Sequence, residues 1–200
     1  MCDIGLSLPA EEAAYSAECH RARKSLDAVK HHALRRISDI ESLLCVKARR
    51  IGFEICGTVD YPGMENAEIW WPRIASEPNA AGWQNIPRKV VDGLPEEIEE
   101  WNKNDAKRNA ATMNDNIAKN KTRIVFAVVE GDRPPTRIGY CYRFLGLFNV
   151  NGDESRKRGC CVWRRAGTTL DLPDFSKIGR LDKVNAPPLR AEGRGVHLVK

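Results

Sequence analysis

The stretch RIGYCYRFLGLFNV, Arg137–Val150, sets Tyr140, Tyr142, Phe144 and Phe148 within nine residues, with Arg143 among them. Alternation predicts a strand with Ile138, Tyr140, Tyr142 and Phe144 on one face and Cys141, Arg143 and Leu145 on the other. Gly146 is expected to form a bulge that resets the phase, so that Leu147 and Phe148 both find cover. Three aromatics on one face read as sheet core, or as a rim aromatic, Tyr142, exposed beside a pocket.

The neighbouring segments make the same architecture. TRIVFAVVEG, residues 122–131, is an unbroken β-branched and aromatic strand, and CCVWRRA, residues 160–166, is a third. Joined by short polar connections, GDRPPT and NGDESRKRG, the three form an antiparallel meander. Upstream, IGFEICGTVDY (residues 51–61) reads as a strand bent at Gly57, and NAEIWWPRIAS contains a short strand ending at Pro72. SEPNAAGWQNIPRKVVDGLPEE is rich in Pro, Gly and Asn and predicts a long loop carrying Trp83. Pro95 and the glutamates after it predict an inserted helix over about 95–119.

The N-terminal third reads as helix. Tyr15, Cys19, Ala22, Leu26, Val29, Ala33, Ile37, Ile40 and Leu44 recur at steps of three and four. An unbroken helix from Pro9 to Ala48 would be about 60 Å long, so a break near His31–His32 or packing on a second copy is the alternative. The stripe has Ala, Cys and Tyr where a strong coiled coil has Leu and Ile, which favours packing on the protein's own body over a homodimer through this helix. The expected organisation is thus α+β: a helical segment, 1–50, packed as a long helix or helix pair on a small, mostly antiparallel β-rich domain, 51–200.

Composition narrows the function classes. With 42% hydrophobic residues the chain is globular, and a net charge of +5 permits an anionic partner without demanding one. Charge is segregated: Glu18–Arg50 holds nine Lys or Arg against four acids, and Asp92–Asp115 holds seven acids against three bases. The basic face reads as a solvated helix surface or as a phosphate-contacting ridge. The seven cysteines lack paired metal-ligand spacing and no secretory pattern precedes them, which predicts reduced, buried thiols, no metal, and a cytoplasmic protein with no membrane partner.

The order TRIVFAVVEG, IGYCYRFLGLFNV, CCVWRRAG resembles the barrel strands of the SRA/YDG and wider PUA-like families. Tyr142, Phe144, Gly146, Leu147, Phe148 and Val150, then Val162, Trp163 and Arg164, carry the likeness, together with AAGWQNIP (Ala80–Pro87) upstream. It covers about residues 80–168, and no residue matches the family's base-reading Asp. The resemblance implies a module that binds DNA or RNA and recognises a base, plain or modified, in prokaryotic restriction or defence. Trp83, Tyr142 or Trp163 would stack on the base and Asn85 would face its Watson–Crick edge. Arg123, Arg143, Arg156, Lys157, Arg158, Arg164 and Arg165 would contact flanking phosphates. No cofactor is implied.

Two other classes stand beside this one. A small metal-dependent nuclease, or another enzyme acting on nucleic acid, would use the carboxylates of Asp60, Glu65 and Glu68. A protein-interaction module would use the N-terminal helix. No complete catalytic constellation is present, so binding is read ahead of catalysis.

Overall fold

Strands β8 (Thr122–Val129) and β9 (Tyr142–Val150) pair antiparallel, and β9 pairs antiparallel with β10 (Cys161–Gly167), so the expected meander is present. The computed structural model describes residues 25–30, 33–34, 40, 43–44, 57–61, 63–75, 78, 82–129 and 142–172. Around the meander, β10 pairs with β7 (Leu94–Asn102), β7 with β6 (Trp83–Val91), β6 with β5 (Arg73–Ile74), and β5 with β8. Because β8 also pairs with β9, six strands close into a barrel. β4 (Ala67–Trp70) lies parallel to β8 ahead of β5, and β3 (Thr58–Asp60) extends the sheet from β4. The pairings of β5 with β6 and β8, and of β4 with β8, are parallel; the others are antiparallel.

The Gly146 bulge occurs where expected. Val125 faces Gly146 while Phe126 faces Phe144, so Leu145 is the extra residue. Gly146 has φ +111°, and a Cβ there would collide with the Gly167 carbonyl oxygen. The bulge lets Phe144, Leu145 and Phe148 all reach complete burial.

Three expectations are corrected. SEPNAAGWQNIPRKVVDGLPEE is mostly strand, not loop: β6 and β7 form a hairpin turning at Asp92–Gly93, both in the left-handed region (φ +52° and +72°). Asp-Gly is the preferred pair for such a two-residue turn, and that signal outweighs the composition. The inserted helix begins at Ala106, not Pro95: α1 is Ala106–Ala118, with the Asp105 side chain accepting from the Arg108 amide at 2.8 Å. Residues 94–102 are strand because Ile98 enters the core and the flanking carboxylates find cationic partners across the sheet. NGDESRKRG is not a loop either: α2 spans Gly152–Arg158. Asn151 caps it, acids fill its first turn and Arg156, Lys157 and Arg158 its last, as the helix dipole favours.

The long N-terminal helix does not run through residues 25–34. There β1 (Ser25–Asp27) pairs with β11 (Thr169–Asp171), a 3-10 turn spans Ala28–Lys30, and β2 (Ala33–Leu34) extends the barrel sheet beside β9. Leu26 and Leu34 enter the core through these pairings, which override the helical spacing. Residues 40, 43 and 44 are helical and buried. The rest of the expected helix, and with it the proposed homodimer face, lies outside the described residues. Of the cysteines, Cys160 and Cys161 are described: both are free and buried, and burial pushes their thiols up to about 11 and about 12.

Candidate nucleic-acid interface

One end of the barrel is polar inside. On β7, Glu100 points inward beside Trp163 of β10, and on β8 and β4 so do Arg123 and Glu68; all are buried. Isolated charges there would be costly, and each is matched. Arg123 donates to Glu100 Oε2 at 2.6 Å, and Trp163 Nε1 donates to the same oxygen at 3.0 Å. Arg123 Nε lies 3.4 Å from Glu68 Oε2, and Lys121 Nζ pairs with Glu68 Oε1. The Arg123 guanidinium sits between two indoles, 3.9 Å from the Trp163 centroid and 4.3 Å from that of Trp70.

Above this floor a cavity of about 640 Å³ opens between the barrel mouth and α1. Trp70, Trp71 and Trp83 supply aromatic surface. Glu68, Asn85, Glu100, Lys121 and Arg123 line the barrel side, and Arg108, Thr112, Asp115 and Asn116 the helix side. Asn109 and Asn116 hold α1 in place: Asn109 donates to the Gly159 carbonyl at 2.8 Å and Asn116 to Cys161 Sγ at 3.4 Å. Trp83 is half-buried at the rim, with the Arg108 guanidinium 5.5 Å from its ring. The Asn85 amide donates to the Arg73 carbonyl at 3.1 Å, which fixes its orientation. Among the described residues both donors on Glu100 use Oε2, so Oε1 stays available in the cavity that the side chain lines. The volume is that of a small-ligand site, and charged and polar side chains make up most of its lining beside the three tryptophans.

The expected site residues divide. Trp83 and Asn85 reach the cavity. Arg123 does too, but as a buried, doubly paired floor residue that cannot meet a phosphate. Trp163 is fully buried and Tyr142 is 7% exposed within the core, so neither offers a free face for stacking. Both faces of β9 are covered in the closed barrel, which removes the distinction between its core and rim sides. Arg143, 1% exposed, is likewise no phosphate contact. Arg158 is held by Glu97, Glu99 and Glu154. Arg156, Lys157 and Arg164 are exposed, and Arg164 and Arg165 line a shallow depression of about 340 Å³ with Asn149, Asn151 and Asp153.

Glu100, Trp70, Trp71, Lys121 and Arg108 were not singled out as binding residues by the sequence. Glu100 lies among acidic neighbours that Pro95 and the helix-dipole preference assign to a helix; the Asp-Gly turn places it on a strand. The carboxylates weighed for a nuclease do not converge: Glu68 turns inward to two cations, while Asp60 and Glu65 are exposed.

A family model of the SET and RING associated domain, SRA, matches residues 20–172. The chain belongs to the SRA family. SRA domains bind DNA, and this one is a base-recognising DNA-binding module by that membership. The match begins before residue 25, so it takes in β1 and β2. The SRA fold here is similar to the solved structure of the 5-hydroxymethylcytosine-specific restriction enzyme AbaSI, with a TM-score of 0.61 and 20% identity, covering 79% of this chain and 45% of that one. The SRA chain thus spans less than half the length of that enzyme. No curated protein matches it in sequence. Among its described residues no helix is long and apolar enough to cross a membrane.

Proposed function

We propose that this SRA domain receives one base, turned out of a DNA duplex, in the cavity between α1 and the barrel mouth, and that it reads a modified cytosine in a restriction context. The observation that carries the reading is Glu100: a carboxylate held by Arg123 and Trp163 at the floor of an aromatic-walled cavity, with one oxygen available. A carboxylate accepts from the exocyclic amine of cytosine and repels the O4 acceptor of thymine at the same place. Trp83 at the rim supplies the stacking face, and Asn85 a second polar contact. The cost of unstacking the base is a few kcal/mol, which stacking on an indole and the charged hydrogen bond can offset. Arg156, Lys157 and Arg164 contact the phosphates, and the module serves as the recognition part of a restriction system. DNA is the partner favoured by the family; RNA is not.

The test is fluorescence anisotropy with duplexes carrying one cytosine, 5-methylcytosine or 5-hydroxymethylcytosine, at two salt concentrations. The expected result is tighter binding to a modified duplex, with binding to every cytosine-bearing duplex weakened in Glu100→Gln. Equal affinity for modified and unmodified duplexes, or unweakened binding in Glu100→Gln, would overturn the reading.

A further inference from the structure

Lys121 is the one lysine among the described residues lining the cavity. Its side chain is 16% exposed, and it opens the chain of paired charges Lys121–Glu68–Arg123–Glu100 that forms the floor. An amine enclosed beside a base pocket, close to a second cation and with a carboxylate on its nitrogen to take its proton, has the surroundings of an imine-forming lysine. Burial, and after it the Arg123 guanidinium, hold the Lys121 ammonium below the ordinary lysine range, against the opposing pull of Asp60. The exposed surface lysines, such as Lys119 paired with Asp115, have no comparable enclosure.

We propose that Lys121 forms a reversible imine with an aldehyde presented by DNA in this cavity, in the first place a formyl group on the captured base. This rests on the base-pocket reading above. Glu68 takes one proton from the Lys121 ammonium, and the neutral amine attacks the aldehyde carbon, opening the C=O double bond. A proton moves from nitrogen to the new oxygen, giving a carbinolamine. Glu68 returns its proton to the departing hydroxyl, water leaves, and C=N remains. No oxidation occurs, and water reverses the step. The pocket would thereby hold a formylated base longer than hydrogen bonding alone allows.

The experiment incubates the full chain with a duplex carrying one 5-formylcytosine, one abasic site or one 5-hydroxymethylcytosine, with sodium cyanoborohydride to reduce any imine. Peptide mass spectrometry locates the adduct. The expected result is an adduct on Lys121 with the formylated duplex and none with the hydroxymethylated one. Lys121→Arg, which keeps the pair with Glu68, should lower the yield at least tenfold, and Lys119→Arg should leave it unchanged. Circular dichroism confirms that both variants are folded. No adduct, or one unaffected by Lys121→Arg, overturns the inference. An adduct with the abasic duplex alone overturns the assignment of the aldehyde to a base. The hydroxymethylcytosine anisotropy titration separates the two readings: binding without an adduct sinks the imine and leaves base recognition standing, whereas an adduct on Lys121 without binding preference sinks base recognition alone.

Discussion

Arginine meets tryptophan twice around the cavity, with opposite consequences. Arg123 is buried between Trp70 and Trp163 at 4.3 and 3.9 Å and ion-paired to Glu68 and Glu100. Arg108 lies 5.5 Å over Trp83 at the exposed rim. The buried cluster is committed inside the barrel: its cation pairs with two carboxylates and the Trp163 N–H donates to Glu100. The rim pair leaves surface open to a ligand. The same two residue types thus hold a carboxylate in position at one site and offer a stacking platform at the other, and burial alone separates the roles.

The largest expected effect breaks the buried side. Trp163→Ala removes a fully enclosed indole and a hydrogen bond to Glu100, and should lower stability by about 3–5 kcal/mol. Arg123→Met leaves two carboxylates with fewer buried cations and should cost a similar amount, about 3–5 kcal/mol. Urea denaturation checks both. Trp83→Ala should change stability by about 1 kcal/mol or less. A loss at Trp83 as large as at Trp163 would erase the contrast.

The rim substitution should show itself in binding instead. Trp83→Ala is expected to weaken binding of a modified duplex by about 1–3 kcal/mol, the worth of stacking one base, as read by anisotropy. Unchanged affinity would move the stacking role to Trp70 or Trp71.

A smaller effect concerns the exposed cations. Arg164→Ala should weaken binding to all duplexes alike and lower the salt slope by about one, whereas Arg158, already held by three carboxylates, should matter less to DNA and more to α2. Titrations across salt concentrations measure this, and a base-selective loss in Arg164→Ala would reassign it to the pocket.

The smallest effect sharpens the comparison outside the cavity. Burial raises the affinity of Glu97 for a proton, but Lys89 and Arg158 together outweigh it and hold the carboxyl below its ordinary 4.5. The unfolded chain therefore takes up a proton at higher pH than the folded one. Glu97 contributes stability that is present above about pH 4.5 and lost as pH falls through the lower folded value. Glu97→Gln should reduce the acid sensitivity of urea unfolding, by about 1 kcal/mol or less for pairs whose cations are this exposed. An identical pH profile in the variant would mean that the pairing contributes nothing measurable.

Several elements were legible in the sequence because they depend on short-range rules. The runs at 122–131, 137–150 and 160–166 alternate or are continuously β-branched, so their strands and the Gly146 bulge follow from local sterics. Trp83 and Asn85, singled out through the family likeness of AAGWQNIP, line the cavity. The Asp92–Gly93 turn and the capped, charge-graded α2 are equally local signals, although the polar composition of both segments points to loop.

The chain by itself determined the meander, the bulge, the turn chemistry and the charge segregation, since each is fixed by neighbours a few residues away. Tertiary structure alone decided which tryptophan is exposed, which arginine is buried and which glutamate faces the cavity. Those outcomes depend on barrel closure between β8 and β9 and on the seating of α1 over the mouth, contacts between residues far apart in sequence. Leu26 and Leu34 show the same limit: their helical spacing was real, but pairing with β11 and β9 buries them as strands.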